Sequence, residues 1–580
     1  MACTATVLAV ALGSGSGQAA GGPSYEPKFA AQISSPRPCA LEPRDGKIDP
    51  YEKAVYRTEG WKGPDYERYP GACQRLKFAY GPILVKPGQN DVFVGPVTIE
   101  KPSRDGYIAR FVPNLVRADG TVPPVEQIHL HHGTWLSEPT YGSGPFFASG
   151  EEKTIAPYPR GYGMPIQAAD QWQLLYMVHS AVSNPMEVFI TYDVDFIPKS
   201  KAAKWKMKPA YPVWLDVRPS GYPVFNVQRQ YGGKSKSCTW PTQKCANYDP
   251  FGKKFEGQGL PGNGKGTDLV LPKLGQSLGK IDSFKGGTLI GIGGHLHPGG
   301  IQNEIDLVRG KKRTRIYTGK AEYWSHKDPS KGGGPRDSWD FSMGVSGLPY
   351  WGVHVKPGDH LRSNATYDTS KIASYENMGI AVTLLAPDTD KGKPTAPSVN
   401  PFRAKKDSSL RCRATSGHLC THEFLTHGHY RENGNHGGPS GHWTLSTGGP
   451  ANDVGIVDFQ YTPGDLNSGR PIPRVKLGTK LRFTNLEGAG IYHTVTSCRF
   501  PCLGETTASF PVPDGMTSKG RRVDLDSSEL GIGAPYIGPT AQTLSWSVPV
   551  TASSGFSPGE KVTYFCRVHP FMRGAFEVSK

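Results

Sequence analysis

The chain has 580 residues, and its 66 Lys and Arg against 50 Asp and Glu give a net charge of +16. Its 72 glycines and 52 prolines follow no collagen-like period and 10% of the residues are aromatic, which excludes collagen and a wholly disordered chain. Few long stretches lack Gly or Pro, so the sequence predicts a mainly β fold with many short strands joined by turns. Beyond the N-terminus it has no run of about 20 apolar residues, so no membrane span is predicted.

The first residues combine an apolar stretch with a small-residue ending, which predicts a signal segment over residues 1–20 and export from the cytoplasm. The stretch lacks a basic beginning, and the alternative is a disordered N-terminus. An N-terminal arm is expected over residues 21–75.

Eight cysteines remain once Cys3 in the signal segment and Cys566 in a metal motif are set aside. Their spacing suggests four disulfides without proving the connectivity: Cys238 with Cys245, Cys412 with Cys420, Cys498 with Cys502, and Cys39 with Cys73. An even count in local pairs favours disulfide loops in an oxidising compartment.

Basic residues are concentrated in two runs, residues 199–208 and 309–315. Such runs are typical of solvated strand ends or of attraction to an anionic envelope. No recognisable nucleic-acid-binding module accompanies them, so no nucleic-acid partner is predicted.

The central region contains three groups of histidines in chain order. HLHH supplies His131 and His132, the strand-like QWQLLYMVHS supplies His179, and GGHLHPGG supplies His295 and His297. Alternate residues of a strand face the same way, so His295 and His297 can both reach one metal ion. Adjacent His131 and His132 cannot do so from a regular strand, and a bulge or twist is required if both are ligands.

These motifs are followed by Met378 in a Glu-Asn-Met sequence. Their order resembles that of the copper type II, ascorbate-dependent monooxygenases, which are the peptidylglycine α-hydroxylating and dopamine β-monooxygenases. It also resembles that of the Nod19-type stress-induced proteins. The resemblance covers residues 76–390 and implies two jelly-roll-type β-sandwich subdomains, at 76–215 and 216–390. Each would hold one mononuclear copper. The family's cysteine framework is largely missing, and no substrate-anchoring residues match.

The resemblance also implies the ligands of these two sites. A transfer copper would be bound by His131, His132 and His179, and the catalytic, O2-activating copper by His295, His297 and Met378. Two imidazoles and a thioether favour Cu(I), the state that binds O2. His129 is an alternative ligand, and Met343 is an alternative thioether.

Residues 391–450 combine a Pro- and Lys-rich linker with a segment that contains six histidines. These are His418, His422, His427, His429, His436 and His442. The segment either binds another metal ion or docks the C-terminal domain against the core, and the spacing does not decide between the two.

The C-terminal residues 451–580 contain the donors of a blue-copper site. Cys566, His569 and Met572 lie within seven residues of each other, and His493 follows the strand-like KLRFTN. Two imidazoles, a thiolate and a weak axial thioether form the ligand set of such electron-transfer sites. The Cys-x2-His-Pro-Phe-Met-Arg-Gly loop resembles that of the amicyanin-type cupredoxins, which implies a Greek-key β-sandwich with type 1 copper on these four residues. The chain departs from that family by an insertion over residues 497–549.

The function expected from these motifs is an exported multicopper oxidoreductase, with an O2-dependent monooxygenase-like core that receives electrons through the fused blue-copper domain. It would contain one type 1 copper and two further mononuclear copper ions, and would use an external donor, either an ascorbate-like reductant or a redox protein. The substrate is not identified. The alternative is a non-catalytic extracytoplasmic protein for copper binding or electron transfer.

Overall fold

The structure is a computed structural model. It describes most of the strands that the sequence predicts to carry metal ligands. The structure describes residues 33, 35–42, 50–63, 66–86, 94–123, 128–138, 141, 145–150, 155–180, 185–217, 225–227, 237–240, 258–259, 285–297, 299–323, 339–347, 351–369, 374–389, 391–398, 402, 424–425, 445–487, 491–502, 515–532, 543–569 and 571–580. The predicted signal segment, the six histidines of 418–442, and Cys245, Cys412 and Cys420 lie outside these residues. Within them, no helix has the length and apolar character needed to cross a membrane.

Two sheets pack as the first β-sandwich. Its strands are β1 (Gln74–Val85), β2 (Val94–Ile99), β3 (Gly106–Arg117), β4 (Ile128–Glu138), β5 (Pro145–Gly150), β6 (Ala156–Pro157), β7 (Tyr162–Ile166), β8 (Gln171–Ser180), β9 (Met186–Pro198) and β10 (Lys208–Pro209). One sheet has the order β1-β9-β3-β7-β10 with β6 on β3, and the other has the order β2-β8-β4-β5. Buried aromatic rings fill the space between them, among them Phe111 and Trp135 at 5.2 Å.

The N-terminal arm is fixed to this sandwich by buried charge pairs. Helix α1 (Pro50–Thr58) presents Glu52 to Arg110, whose Nη2 donates to Oε2 of Glu52 at 2.9 Å. The disulfide Cys39–Cys73 closes the arm, as the cysteine spacing predicted. A short helix, α2 (Lys199–Ala202), and a 3-10 turn at Ala203–Trp205 follow β9.

The second unit is one large sheet whose two halves pack face to face as the second sandwich, with Leu289 and Leu385 of one half in the same apolar core as Ile305 and Leu361 of the other. Its strands are β11 (Tyr211–Asp216), β12 (Phe225–Val227), β13 (Ser237–Trp240), β14 (Gln258–Gly259), β15 (Gly287–Leu296), β16 (Gly300–Arg309), β17 (Lys312–Tyr323), β18 (Trp339–Gly347), β19 (Val353–Val355), β20 (His360–Asp368), β21 (Ser374–Asn377), β22 (Gly379–Pro387) and β23 (Phe424–Leu425). The order is β11-β22-β15-β18-β17-β16-β20-β13, with β14 on β20, β19 on β15 and β23 on β18, while β12 pairs with β21. Tyr211, Ile290 and Ala386 pack into the core of the first sandwich, so the two units share an apolar boundary.

The third unit is a separate two-sheet sandwich. Its strands are β24 (Thr447–Pro450), β25 (Asp453–Val457), β26 (Gln460–Thr462), β27 (Ile472–Lys476), β28 (Thr479–Asn485), β29 (Thr496–Cys498), β30 (Ser545–Val550), β31 (Lys561–Phe565) and β32 (Arg573–Ser579), with a 3-10 turn at Ala552–Ser554. The sheets have the orders β24-β27-β32-β31-β29 and β26-β25-β28-β30. Tyr564, Phe483 and Phe576 pack between them.

The predicted mainly β fold class is confirmed, since the described residues contain only short helices. The disulfide Cys498–Cys502 is present, and Cys238 is disulfide-bonded. Strand β11 crosses the expected boundary at residue 215 and pairs with β22 of the second unit, and the exact domain limits remain predictions.

The second basic run is paired with acids of its own sheet. Arg309 donates to Asp359 at 2.6 and 2.7 Å, Arg315 donates to Asp306 at 2.6 Å and also contacts Glu304, and Arg313 donates to Asp306. These positive charges are therefore compensated locally, which agrees with the interpretation as solvated strand ends.

Candidate metal centres

In the third sandwich, three of the four predicted type 1 ligands converge on one point. Nδ1 of His493 lies 3.8 Å from Sγ of Cys566, Nδ1 of His569 lies 3.7 Å from the same sulfur, and the two Nδ1 atoms are 3.2 Å apart. All three residues are buried. Cys566 is the one free cysteine among the residues that the structure describes. A soft sulfur and two imidazoles at these separations fit a copper ion.

The segment that carries His493 is held on both sides by backbone hydrogen bonds. The amide of His493 donates to the carbonyl of Leu530 at 3.2 Å, and the amide of Leu530 donates back at 2.8 Å. Nδ2 of the buried Asn485, at the end of β28, donates to the carbonyls of Ile491 and Leu530. The 497–549 insertion therefore contributes a bracing segment that the sequence did not reveal.

The sulfur of Cys566 accepts hydrogen bonds in a fully buried site. The amide of Thr494 donates to it at 3.3 Å. Burial raises the pKa of the Cys566 thiol, and the amides of Thr494, His569 and Val568 act in the opposite direction. Binding of a metal ion to this thiol must therefore displace a proton.

Met572 lies where an axial ligand is expected. Its side chain is fully buried in the same core as Cys566. Its amide donates to the carbonyl of His569 at 2.8 Å, and its carbonyl accepts from the amide of Cys566 at 3.1 Å. This tight loop fixes Met572 beside the three converging donors, while its thioether contact stays a prediction.

In the first sandwich, the HLHH sequence lies in β4 and contains the irregularity that the sequence required. Leu130 pairs with Val178 and His132 pairs with Met177, so His131 is an extra residue without a register partner on β8. A bulge of this kind re-aims side chains. His129 is paired directly with His179 of β8.

The structure groups these histidines differently from the expected transfer site. The ligand atoms of His129, His131 and His179 lie within 4.8 Å of one another, as do those of His131, His132 and His297. The rings of His131 and His179 stack with centroids 4.2 Å apart and planes at 13°. His129, the alternative ligand, thus lies in the first group.

The second sandwich brings His295 and His297 together, as expected from their spacing. Their Nε2 atoms are 3.1 Å apart. Nε2 of His297 is also 3.2 Å from Nε2 of His132 in the first sandwich. The two predicted copper sites therefore meet across the boundary between the sandwiches.

Met378 is connected to this pair through the backbone. The hydroxyl of Tyr367 donates to the carbonyl of Met378 at 2.6 Å and accepts from the amide of His297 at 3.0 Å. The side chain of Met378 is buried in a small apolar cluster with Ile380 and Trp214. Met343 has no described side chain, so the choice of thioether stays a prediction.

The core histidines are held in the form that binds metal ions. Burial lowers the pKa of His131, His132, His179 and His297 well below the usual value of 6.5, and neighbouring imidazoles lower it further. A neutral imidazole is the ligand form of histidine. Nε2 of His179 is buried and has no hydrogen-bond partner among the described residues, which also fits a site for a metal ion.

An apolar cleft leads to His295. It has a volume of about 700 Å³ including its open mouth and lies between β5 and β6 of the first sandwich and β15 and β22 of the second. Phe146, Tyr158, Ile380 and Leu384 line its walls. His295 contributes the one imidazole among the described residues that line the cleft.

Burial is the main cause that lowers the pKa of His179, followed by the charges of His131, His129 and His132, with a further contribution from His569 of the third sandwich.

Comparison with solved structures finds cupredoxins. The chain is similar to a point variant of amicyanin in its Cu(I) form at 21% identity, over 22% of this chain and 82% of amicyanin, with a TM-score of 0.13. It is also similar to a purple cupredoxin from Nitrosopumilus maritimus at 14% identity, over 22% of this chain and 100% of that protein, with a TM-score of 0.13. No protein-family model and no curated protein matches the chain. At these values the similarities carry no argument about function, which rests on the donor geometry.

Proposed function

We propose that the chain is an extracytoplasmic copper oxidoreductase in which a blue-copper site supplies electrons to copper bound by the core histidines. The convergence of His493, Cys566 and His569 is the observation that carries the proposal. A buried thiolate and two Nδ1 donors, with Met572 beside them, form a donor set suited to one-electron transfer. The surrounding strands limit rearrangement of these donors.

For the core we propose an O2-dependent, monooxygenase-like activity. Neutral, buried imidazoles and a nearby thioether at Met378 suit copper better than hard cations. Bound copper would supply one-electron exchange and activation of O2. The chain itself orients the imidazoles from β4, β8 and β15, and the cleft beside His295 admits a small uncharged molecule.

Internal electron transfer would connect the two kinds of site, because O2 chemistry at the core needs electrons that a one-electron blue-copper site can deliver. An external donor, either an ascorbate-like reductant or a redox protein, would then need to reach only the blue-copper site. A tethered carrier also raises the effective concentration of the internal donor.

The proposed location outside the cytoplasm rests on the disulfides. Cys39–Cys73 and Cys498–Cys502 are formed, and Cys238 is disulfide-bonded. Such bonds persist in oxidising compartments.

The test is O2 uptake by copper-loaded, desalted protein with ascorbate. We expect uptake above that of the apoprotein and of the desalting eluate without protein. Cys566→Ser should remove the blue colour and most of the uptake, whereas His179→Gln should keep the colour and lose the uptake. A fully loaded protein with no uptake above these controls would contradict the proposed activity and support the non-catalytic alternative.

A further inference from the structure

We infer that the six core histidines form one polynuclear copper centre across the boundary of the first two sandwiches, not two independent mononuclear sites. This inference rests on the proposed function and deepens it by reassigning the ligands. One ion would be bound by His129, His131 and His179. The other would be bound by His132, His295 and His297.

His297 connects the other two members of the second triad. Nε2 of His297 lies 3.2 Å from Nε2 of His132 and 3.1 Å from Nε2 of His295. A metal–nitrogen bond of about 2.0 Å with tetrahedral angles places two ligating nitrogens about 3.3 Å apart. Each of these two pairs therefore has the separation of two nitrogens on one ion, although His132 and His297 come from different sandwiches.

The first triad lies wholly within the first sandwich. His129 and His179 are register partners on β4 and β8, with ring centroids 5.2 Å apart. The bulge at His131 turns its ring onto His179, and the ligand atoms of the three residues lie within 4.8 Å of one another. His132, which follows the bulge, is directed to the second sandwich instead.

His131 joins the two triads. Its ring centroid is 4.3 Å from that of His132 and 4.8 Å from that of His297. A ligand atom of His131 also lies within 4.8 Å of those of His132 and His297. With metal–nitrogen bonds of about 2.0 Å, the two ions are then separated by no more than about 9 Å.

Two Cu(II) ions at this separation interact magnetically. Their electron paramagnetic resonance signal broadens or loses intensity, and a half-field transition appears. Independent sites would instead give two ordinary Cu(II) signals, whose summed spin equals the non-blue copper content. The type 1 signal is distinct from both and reports on the intact third sandwich.

The experiment is spin counting against total copper on the oxidised full chain, loaded with Cu(II), for wild type, His129→Gln and a matched control. His360→Gln is the control, because His360 lies in neither triad. We expect three copper ions per chain in the wild type and in the control, with a dipolar-broadened signal from the two non-blue ions. In His129→Gln we expect the copper content to fall to two, with one sharp, ordinary Cu(II) signal.

Other outcomes separate the inference from the proposed function. Two full ordinary spins in wild type, unchanged by His129→Gln, would overturn the coupled centre and leave a copper oxidoreductase with separate sites. Blue copper alone, after loading with excess Cu(II), would overturn both. His132→Gln provides a second variant: we expect it to remove the ion shared with His295 and His297, and retention of that ion would contradict the reassignment.

Discussion

Met572 is the predicted axial ligand of the type 1 site. It is fully buried and follows Cys566 and His569 on one tight loop. The reduction potential of a blue-copper site depends on its weak axial ligand and on hydrogen bonds to the cysteine sulfur. If Met572 is axial, its replacement should change the potential more than the stability of the sandwich.

Replacement of Met572 by Leu is expected to raise the reduction potential, on the order of tens of millivolts, because loss of the thioether weakens the oxidised state. Redox titration of the blue absorption measures this. Met516→Leu in the same sandwich is the matched control and should leave the potential unchanged. An unaltered potential in Met572→Leu would mean that Met572 is not axial.

Met378→Leu separates ligation from packing at the core. Leu preserves most of the buried volume, and volume-conserving swaps usually cost under about 1.5 kcal/mol, so the fold should persist. If the thioether takes part in O2 chemistry, ascorbate-dependent O2 uptake should fall at least about tenfold, or ~1.4 kcal/mol in barrier height, while the blue absorption is unchanged. The control is Met164→Leu in the first core. Normal uptake would show that Met378 only packs against Ile380 and Trp214.

Among the elements, β4 shows what the sequence can and cannot predict. Two adjacent histidines cannot both point to one side of a regular strand, so a bulge or twist was required if both are ligands, and β4 has a register shift at His131. The assignment of His132 was not predictable in the same way. Its nearest partner, His297, is 165 residues away, and their contact depends on how two sandwiches pack.

The N-terminal arm depends on a buried ion pair between α1 and β3. Glu52→Gln should destabilise the first sandwich by about 3–5 kcal/mol, because it leaves the buried Arg110 charge without its partner. Thermal unfolding followed by tryptophan fluorescence measures this. Asp453→Asn, which breaks the exposed pair with Arg482, is the control and should cost below about 1 kcal/mol. Equal, small effects would mean that the arm adds little to stability.

The cleft between β5 and β15 is expected to bind small apolar molecules, since its walls are largely aliphatic and aromatic. Indole serves as the probe, with binding followed by saturation-transfer nuclear magnetic resonance. Ala148→Phe places a ring in the cleft and should weaken binding about tenfold, equivalent to ~1.4 kcal/mol. Ala203→Phe, at an exposed turn, should have no effect. If Ala148→Phe bound indole as tightly as the wild type, indole would bind outside this cleft.

On the scale of the whole molecule, one chain of three β units contains two kinds of candidate copper site. Gly- and Pro-rich composition predicted the mainly β class, and local motifs predicted most of the donors. The distance between His132 and His297 and the bracing of His493 by Leu530 arise from tertiary packing, which local spacing does not encode.

The central claim is that electrons pass from the type 1 site to the core histidines and then to O2. The most direct measurement is stopped-flow mixing of the fully reduced, copper-loaded chain with O2, following the return of the blue absorption. We predict rapid return in wild type and at least tenfold slower return in His179→Gln, which retains the type 1 donors. Equal rates in the two proteins would contradict electron transfer through the core.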